Sequence, residues 1–281
     1  MSLSMRAPIL GLALLGLLAG WAPASAGTVA AADFAWMESA APGPARSVGA
    51  PAAGCLAGAA RLPEEGPGWM AVRIERNRLW GHPRLVAFVE SLAAEGARRG
   101  LPPLLVGDLG QPRGGPMPSG HRSHQTGLDV DLMFEGPPAG AFDAAARASF
   151  EPRPATRADG TADPARFGTL QMAWLHLAAS SPEVDRIFVN FRLKKALCDA
   201  AGAPRDWLRK IRPWVGHQAH FHVRLACTPG DASCGSAGAP IPEGDGCGAE
   251  LDSWLASPPA AGPPPRAIPL PEACAAVLSA P

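Results

Sequence analysis

The sequence predicts an α+β fold with a small central antiparallel sheet, flanking helices, long loops and disulfides, and three observations carry that prediction. Short apolar runs of strand length alternate with a few stretches whose apolar residues recur at helical spacing. Glycine and proline number 32 each among 281 residues, so regular elements must be short and joined by extended turns. Six cysteines, an even count, suit the cross-linking of such a loop-rich chain in an oxidising compartment.

Taken in order, residues 1–26 read as a secretory signal, because Arg6 precedes an apolar run over 9–19 and Ala24, Ser25 and Ala26 form a small-residue cleavage site. The run is shorter than the ~20 residues of a spanning helix, which argues against a retained anchor, and no later segment is a candidate span. Residues 27–63 are Ala-, Gly- and Pro-rich and read as an extended N-terminal segment pinned through Cys55. The main domain is expected over 64–255. Its first helix spans 83–99, with Leu85, Val86, Phe88, Val89 and Leu92 on one face, Pro83 at its start and Gly100 as its stop. A strand is expected at 104–109, a Gly- and Pro-rich loop at 111–124 and a second strand at 127–134. Residues 137–167 read as a surface excursion. A helix over 170–179, a buried strand over 185–190, a helix over 192–200 and a turn feeding a histidine-bearing strand over 213–224 complete the domain. Residues 256–281 form a Pro-rich tail that Cys274 fastens back.

Charge excludes some classes of function. The chain has 25 basic and 25 acidic residues, so nothing steers it to nucleic acid. Tyrosine is absent, which removes Tyr as a general acid or oxyanion donor.

The chemistry concentrates at two places. His124 and Asp131 lie seven positions apart, and His220 and His222 flank one residue on a strand far along the chain. Alternation sends Leu128, Val130 and Leu132 to one face and Asp129 and Asp131 to the other. Two carboxylates on one buried face are costly without partners, and a bound cation is one of the few arrangements that relieves the cost. Five of the seven histidines fall in two clusters, His121 with His124 and His217 with His220 and His222. Two imidazoles and one carboxylate make three zinc ligands and leave a fourth position open, the arrangement of a catalytic site. Zinc is preferred to iron or copper because nothing implies redox chemistry. One histidine of the His220/His222 pair is then left to act as base.

Other readings are weaker. Six cysteines allow fifteen pairings, of which Cys227 with Cys234 closes a short Pro-, Gly- and Ser-rich loop; zinc ligation by thiols lacks any CxxC spacing. Ser119 and Ser123 lie near histidines but not in a GxSxG elbow. Arg113, in the Gly-rich loop, reads either as a clamp for a substrate carboxylate or as a solvated cation.

The segments GDLGQPRGG, SGHRSHQTGLDVD, RIFVN, DWLRKIRPW, HFHVRL and GDGCGAEL, in that order, resemble the penicillin-insensitive murein endopeptidases from about Leu56 to Cys274, with the middle excursion poorly matched. This group is related to lysostaphin-type peptidases, D-alanyl-D-alanine dipeptidases and the hedgehog amino-terminal domain. The resemblance implies a periplasmic zinc peptidase that hydrolyses D-alanyl to meso-diaminopimelyl crosslinks of peptidoglycan. It assigns zinc to His124, Asp131 and His222, with His121 metal-associated, and the general base to His220; His217 helps hold water or the oxyanion. Asp129, and alternatively His121, would orient the ligands. A second metal is implied at an Asp-Gly-x-His segment, whose best counterpart here, Asp159 to Ala162, lacks the histidine. The implied disulfides are Cys55 with Cys274, Cys198 with Cys247, and Cys227 with Cys234. The alternative is a non-catalytic zinc-containing wall-binding protein, against which the retention of His217 and His220 argues.

Overall fold

The computed structural model describes residues 31–118, 121–235, 240–259 and 269–281; the expected secretory signal and Ser119 lie outside the described residues. Among the described residues seven strands form the main sheet, in spatial order Ile211–Trp214, Val184–Asn190, His220–Leu225, Asp129–Met133, Leu104–Val106, Trp69–Ala71 and Glu65–Gly66. The fold is α+β, and the centre of the sheet is antiparallel: His220–Leu225 pairs antiparallel with both Val184–Asn190 and Asp129–Met133. Away from the centre the sheet departs from the expected small antiparallel one. Ile211–Trp214 runs parallel to Val184–Asn190, and Trp69–Ala71 parallel to Leu104–Val106. Parallel neighbours require a crossover, and helices Phe191–Ala200 and Pro83–Arg98 supply the two.

Side-chain alternation divides the sheet into an apolar face and a polar one. Val130, Leu132, Ile187, Val189, Phe221 and Val223 are fully buried and share one core with Leu85, Val89 and Leu92 of helix Pro83–Arg98 and with Trp174 and Leu175 of helix Thr169–Ser180. Burying each large apolar side chain stabilises the fold by about 1.5–3 kcal/mol, so this layer anchors the sheet. The two helices approach closely because Gly96 presents no side chain where the Trp174 ring lies. Helix Pro83–Arg98 begins as expected, with His82 capping through Nδ1, which accepts from the Arg84 backbone, and Pro83 in the first turn.

The segment preceding the core is more ordered than the expected extended lead-in. Arg46–Ala50 and Ala53–Ala57 form an antiparallel hairpin. It packs with helix Ala273–Ser279 in a second apolar cluster of Phe34, Ala41, Val48, Cys55, Ala57, Cys274 and Val277. The expected tail also contains helix Ala273–Ser279, and helix Ala249–Ala256 precedes it. The disulfides are Cys55–Cys274, Cys198–Cys247 and Cys227–Cys234, as the family resemblance implies. No helix among the described residues is long and apolar enough to cross a membrane.

Arg113 has neither of the roles its loop position suggests. It is buried, and its guanidinium donates to the carbonyls of Ser39, Val277, Leu278, Ala280 and Pro281. It therefore caps the end of the last helix, where carbonyls lack partners within the helix. Removing the guanidinium strands these acceptors, and Arg113→Ala should lower unfolding free energy in urea by about 2–4 kcal/mol.

Lys194 is wholly buried, and its ammonium donates to the carbonyls of Leu208 and Asp245. Burial, with Arg212 nearby, lowers its pKa from 10.5 to about 7. Between those values the unfolded chain carries a proton that the folded chain does not, so stability should rise with pH across that window. Lys194→Met should flatten this slope in unfolding curves measured from pH 7 to 10.

Candidate metal centre

The polar face of the sheet brings the two distant histidine clusters to one carboxylate. In the antiparallel pairing of His220–Leu225 with Asp129–Met133, His222 stands opposite Asp131 and His220 opposite Met133. Strand alternation then turns both imidazoles to the face that carries Asp129 and Asp131. His222 Nδ1 is 3.3 Å from Asp131 Oδ1, and His220 Nε2 is 3.5 Å from the same oxygen. The loop ahead of the Asp131 strand brings in His124, whose Nε2 is also 3.5 Å away. Ligands ~2.0–2.1 Å from a tetrahedral ion lie roughly 3.4 Å from one another, so these separations fit a single zinc.

Each of the two innermost histidines has its outer nitrogen engaged. His124 adopts a left-handed backbone with φ of 71°, its N–H donates to Asp129 Oδ2 at 3.1 Å, and its Nδ1 lies 2.5 Å from the Leu109 carbonyl. A carbonyl can only accept, so Nδ1 carries the proton and Nε2 faces inward with a lone pair. His222 uses the opposite nitrogens: Nε2–H donates to Asp129 Oδ1 at 2.7 Å, which leaves Nδ1 facing inward. Asp129 Oδ1 also accepts from Arg224 Nε at 2.6 Å. Burial alone would raise the Asp129 pKa, but Arg224 and His222 outweigh it and hold the carboxyl well below the usual range.

Two atoms of this cluster have no protein hydrogen-bond partner. Among the described residues only four buried side-chain polar atoms lack one, and His124 Nε2 and Asp131 Oδ1 are two of the four. Buried polar atoms are rarely left so, and two acceptors aimed at each other call for a cation between them. The donor set therefore fits a divalent metal. Burial disfavours a charged His124 ring, yet Asp131 beside it outweighs burial and raises its pKa to about 9, so the pocket favours positive charge.

His121 borders the cluster. Its Nδ1 is 3.5 Å from Asp131 Oδ2, and it groups with His124 and Asp131 within 4.8 Å as a set able to hold a metal. Its Nε2 is hydrogen-bonded to Asp108 Oδ2 at 2.9 Å, and that oxygen also accepts from Arg78 at 3.0 Å. Burial works against the Asp108 charge, but His121 outweighs it and brings its pKa to about 2. Asp108 follows strand Leu104–Val106, and sequence reasoning passed over it. The signal available was a lone acidic residue at the end of an apolar run.

His217 and His220 line the more open side. His217 also has a left-handed backbone, with φ of 51°. Asn190, at the end of its strand, holds the turn: its N–H donates to the His217 carbonyl and its side-chain amide to the Gly216 carbonyl. Asn190 was likewise not singled out from sequence. Strained backbone of this kind costs about 1–3 kcal/mol per residue and persists only where the surroundings enforce it. Burial lowers the His217 pKa to about 3 and lowers that of His220, so both rings are neutral near pH 7. His217 Nδ1–H donates to the Val215 carbonyl at 2.9 Å, leaving Nε2 as an acceptor. Asp159 closes its own turn instead, accepting from the Thr161 amide and hydroxyl.

A buried cluster of histidines around one carboxylate, open on one side and set on the polar side of an α+β sheet, is a donor set suited to a divalent metal. The chain belongs to the penicillin-insensitive murein endopeptidase family, whose match covers residues 47–279. It is similar to the penicillin-insensitive murein endopeptidase of Klebsiella pneumoniae subsp. pneumoniae, at 42% identity over 271 residues, covering 95% of this chain and 96% of that protein. The Haemophilus influenzae protein of the same name is 44% identical over 220 residues, covering 77% of this chain and 75% of that one. The Salmonella typhi protein is 40% identical over 264 residues, 93% of this chain and 96% of that one.

Asp129 touches no inward nitrogen but orients both His124 and His222. Asp129→Asn should weaken divalent-metal binding about 10–100-fold in competition with a chromogenic chelator, the usual effect of losing a carboxylate that orients metal-binding histidines.

Proposed function

We propose that this protein is a zinc-dependent murein endopeptidase, exported to the periplasm, that hydrolyses the D-alanyl to meso-diaminopimelyl crosslink of peptidoglycan. The observation that carries the reading is the convergence of His124, His222 and His220 on Asp131 Oδ1, at 3.3–3.5 Å, from two distant stretches of chain. Family membership and the names of the relatives support murein as substrate. Three disulfides suit an oxidising compartment.

His124, Asp131 and His222 would hold the zinc, with His121 beside them. When bound, zinc lowers the pKa of water to ~7 and polarises a carbonyl oxygen. Distance alone does not separate His220 from His222, since both lie near Asp131 Oδ1; their surroundings do. His222 is buried and pinned through Nε2 by Asp129, whereas the His220 side chain is 24% exposed on the open side. His220 is neutral and is therefore assigned as general base, taking the proton of the attacking water and passing it to the departing amine. The acceptor at His217 Nε2 supports the water-holding half of the role expected for it, because a neutral ring with Nδ1–H already committed has no donor left for an oxyanion. Leu109, Asp129 and Arg224 keep the inward nitrogens in place. A non-catalytic wall-binding protein is the less favoured reading, because a purely structural zinc site would be closed by four ligands and would need no neutral histidines on an open side.

Purified protein should cut crosslinked muropeptide dimers, and EDTA should stop it; cutting that survives chelation would sink the zinc assignment. His220→Ala should keep its zinc while kcat falls about 10²–10⁴-fold. His222→Ala should lose both. Wild-type turnover by the first variant would overturn the role of His220.

A further inference from the structure

The open side of the metal centre is bordered by an aromatic shelf that the roles above do not use. Trp214 ends the outer strand Ile211–Trp214 three residues before His217, and 45% of its surface is exposed. Single exposed apolar residues are ordinary, but this one belongs to a chain of packed rings that reaches the metal centre. Its ring meets Phe188 at 5.2 Å and Trp254 at 5.8 Å between centroids. Phe188 in turn packs edge-on against His222 at 5.4 Å and lies 6.2 Å from His217. One ring thus separates the exposed indole from a proposed zinc ligand.

The back of the shelf is secured from several directions. Trp254, on helix Ala249–Ala256, stacks on Phe191 at 6.2 Å. That helix is tied down by the Cys198–Cys247 disulfide, by the Arg212–Glu250 ion pair and by the buried Lys194 ammonium, which donates to the Asp245 carbonyl. The GDGCGAEL segment, which contributes no group to the metal cluster, therefore has a structural consequence at the site: it supports the indole pair. A rigid aromatic surface loses little conformational freedom when a ligand covers it, so it binds apolar groups efficiently.

We propose that Trp214, backed by Trp254, is a substrate-binding residue that packs against the aliphatic part of the peptide flanking the scissile bond. The proposal rests on the murein endopeptidase reading. Two ring-to-ring steps, of 5.2 and 5.4 Å, connect Trp214 to His222. An extended peptide spans ~3.3–3.6 Å per residue, so the group that meets the indole lies within about three residues of the cut. In the crosslink that reach takes in the alanyl methyl and the diaminopimelyl methylenes, while the sugars lie further along the stem.

The test compares wild type, Trp214→Ala and Trp214→Phe on a crosslinked muropeptide dimer and on its sugar-free peptide counterpart. Trp214→Ala should lower kcat/KM about tenfold on both substrates, mainly through KM, with zinc content and unfolding midpoint unchanged. Trp214→Phe should recover most of the loss. An unchanged KM, a loss confined to the sugar-bearing dimer, or a loss in kcat accompanied by lost zinc would each overturn the proposal. Calorimetric binding of the sugar-free peptide separates this inference from the function it rests on. Wild type that binds the peptide without cutting it would defeat the endopeptidase reading, while about tenfold weaker binding by Trp214→Ala would still support the shelf and equal binding would overturn it. No binding by wild type would overturn both.

Discussion

A single carboxylate oxygen, Asp131 Oδ1, is the point toward which three imidazoles converge, and the sheet register is what puts it there. His222 stands directly across from Asp131 in an antiparallel pair. A slip of one residue would turn either side chain to the opposite face and bury it in the apolar core. That core, with Val130 and Val223 fully buried beneath the site, opposes such a slip. A buried ionised carboxylate without a hydrogen bond to that oxygen is costly, and the pocket relieves the cost by drawing positive charge to it.

Around this point lies a layer of groups that aim the inward atoms rather than supply them. Asp129 contacts the His124 backbone, the His222 ring and Arg224 together, so one residue sets the orientation of two histidines. Asp108 does the same for His121. The left-handed backbones of His124 and His217 are retained because hydrogen bonds from outside each turn hold them. Preorganisation of this sort is what lets a site act without rearranging.

The periphery serves the centre through covalent and buried polar ties. Cys55–Cys274 joins the N-terminal hairpin to the last helix, whose closing carbonyls are gathered by Arg113. The same hairpin receives the loop that leads to His124: Gln125 N–H donates to the Pro51 carbonyl, and its side-chain oxygen accepts from Gly54. On the other side, Cys198–Cys247 and Lys194 hold the helix that backs Trp214. Bridges that close long loops restrict the unfolded chain most, which suits a protein so rich in glycine and proline.

Local order in this protein was legible in its residues. Alternation at 127–134 correctly separated Leu128, Val130 and Leu132 from Asp129 and Asp131, and helical spacing located helix Pro83–Arg98, because both periods arise from backbone geometry alone. The spacing of His124, Asp131, His220 and His222 marked the residues that the fold brings together as a candidate metal site. What the chain alone did not disclose depends on neighbours distant in sequence. Arg113 reads as a carboxylate clamp or a loop cation in the sequence, and only the last helix packed over it gives it another role; Asp108 and Asn190 gain meaning only beside His121 and His217, and the parallel strand pairs follow from crossovers rather than from any strand's own pattern. Periodicity records which face of an element is apolar; which element comes to cover that face, and which buried atoms are left wanting a partner, is decided by packing in three dimensions.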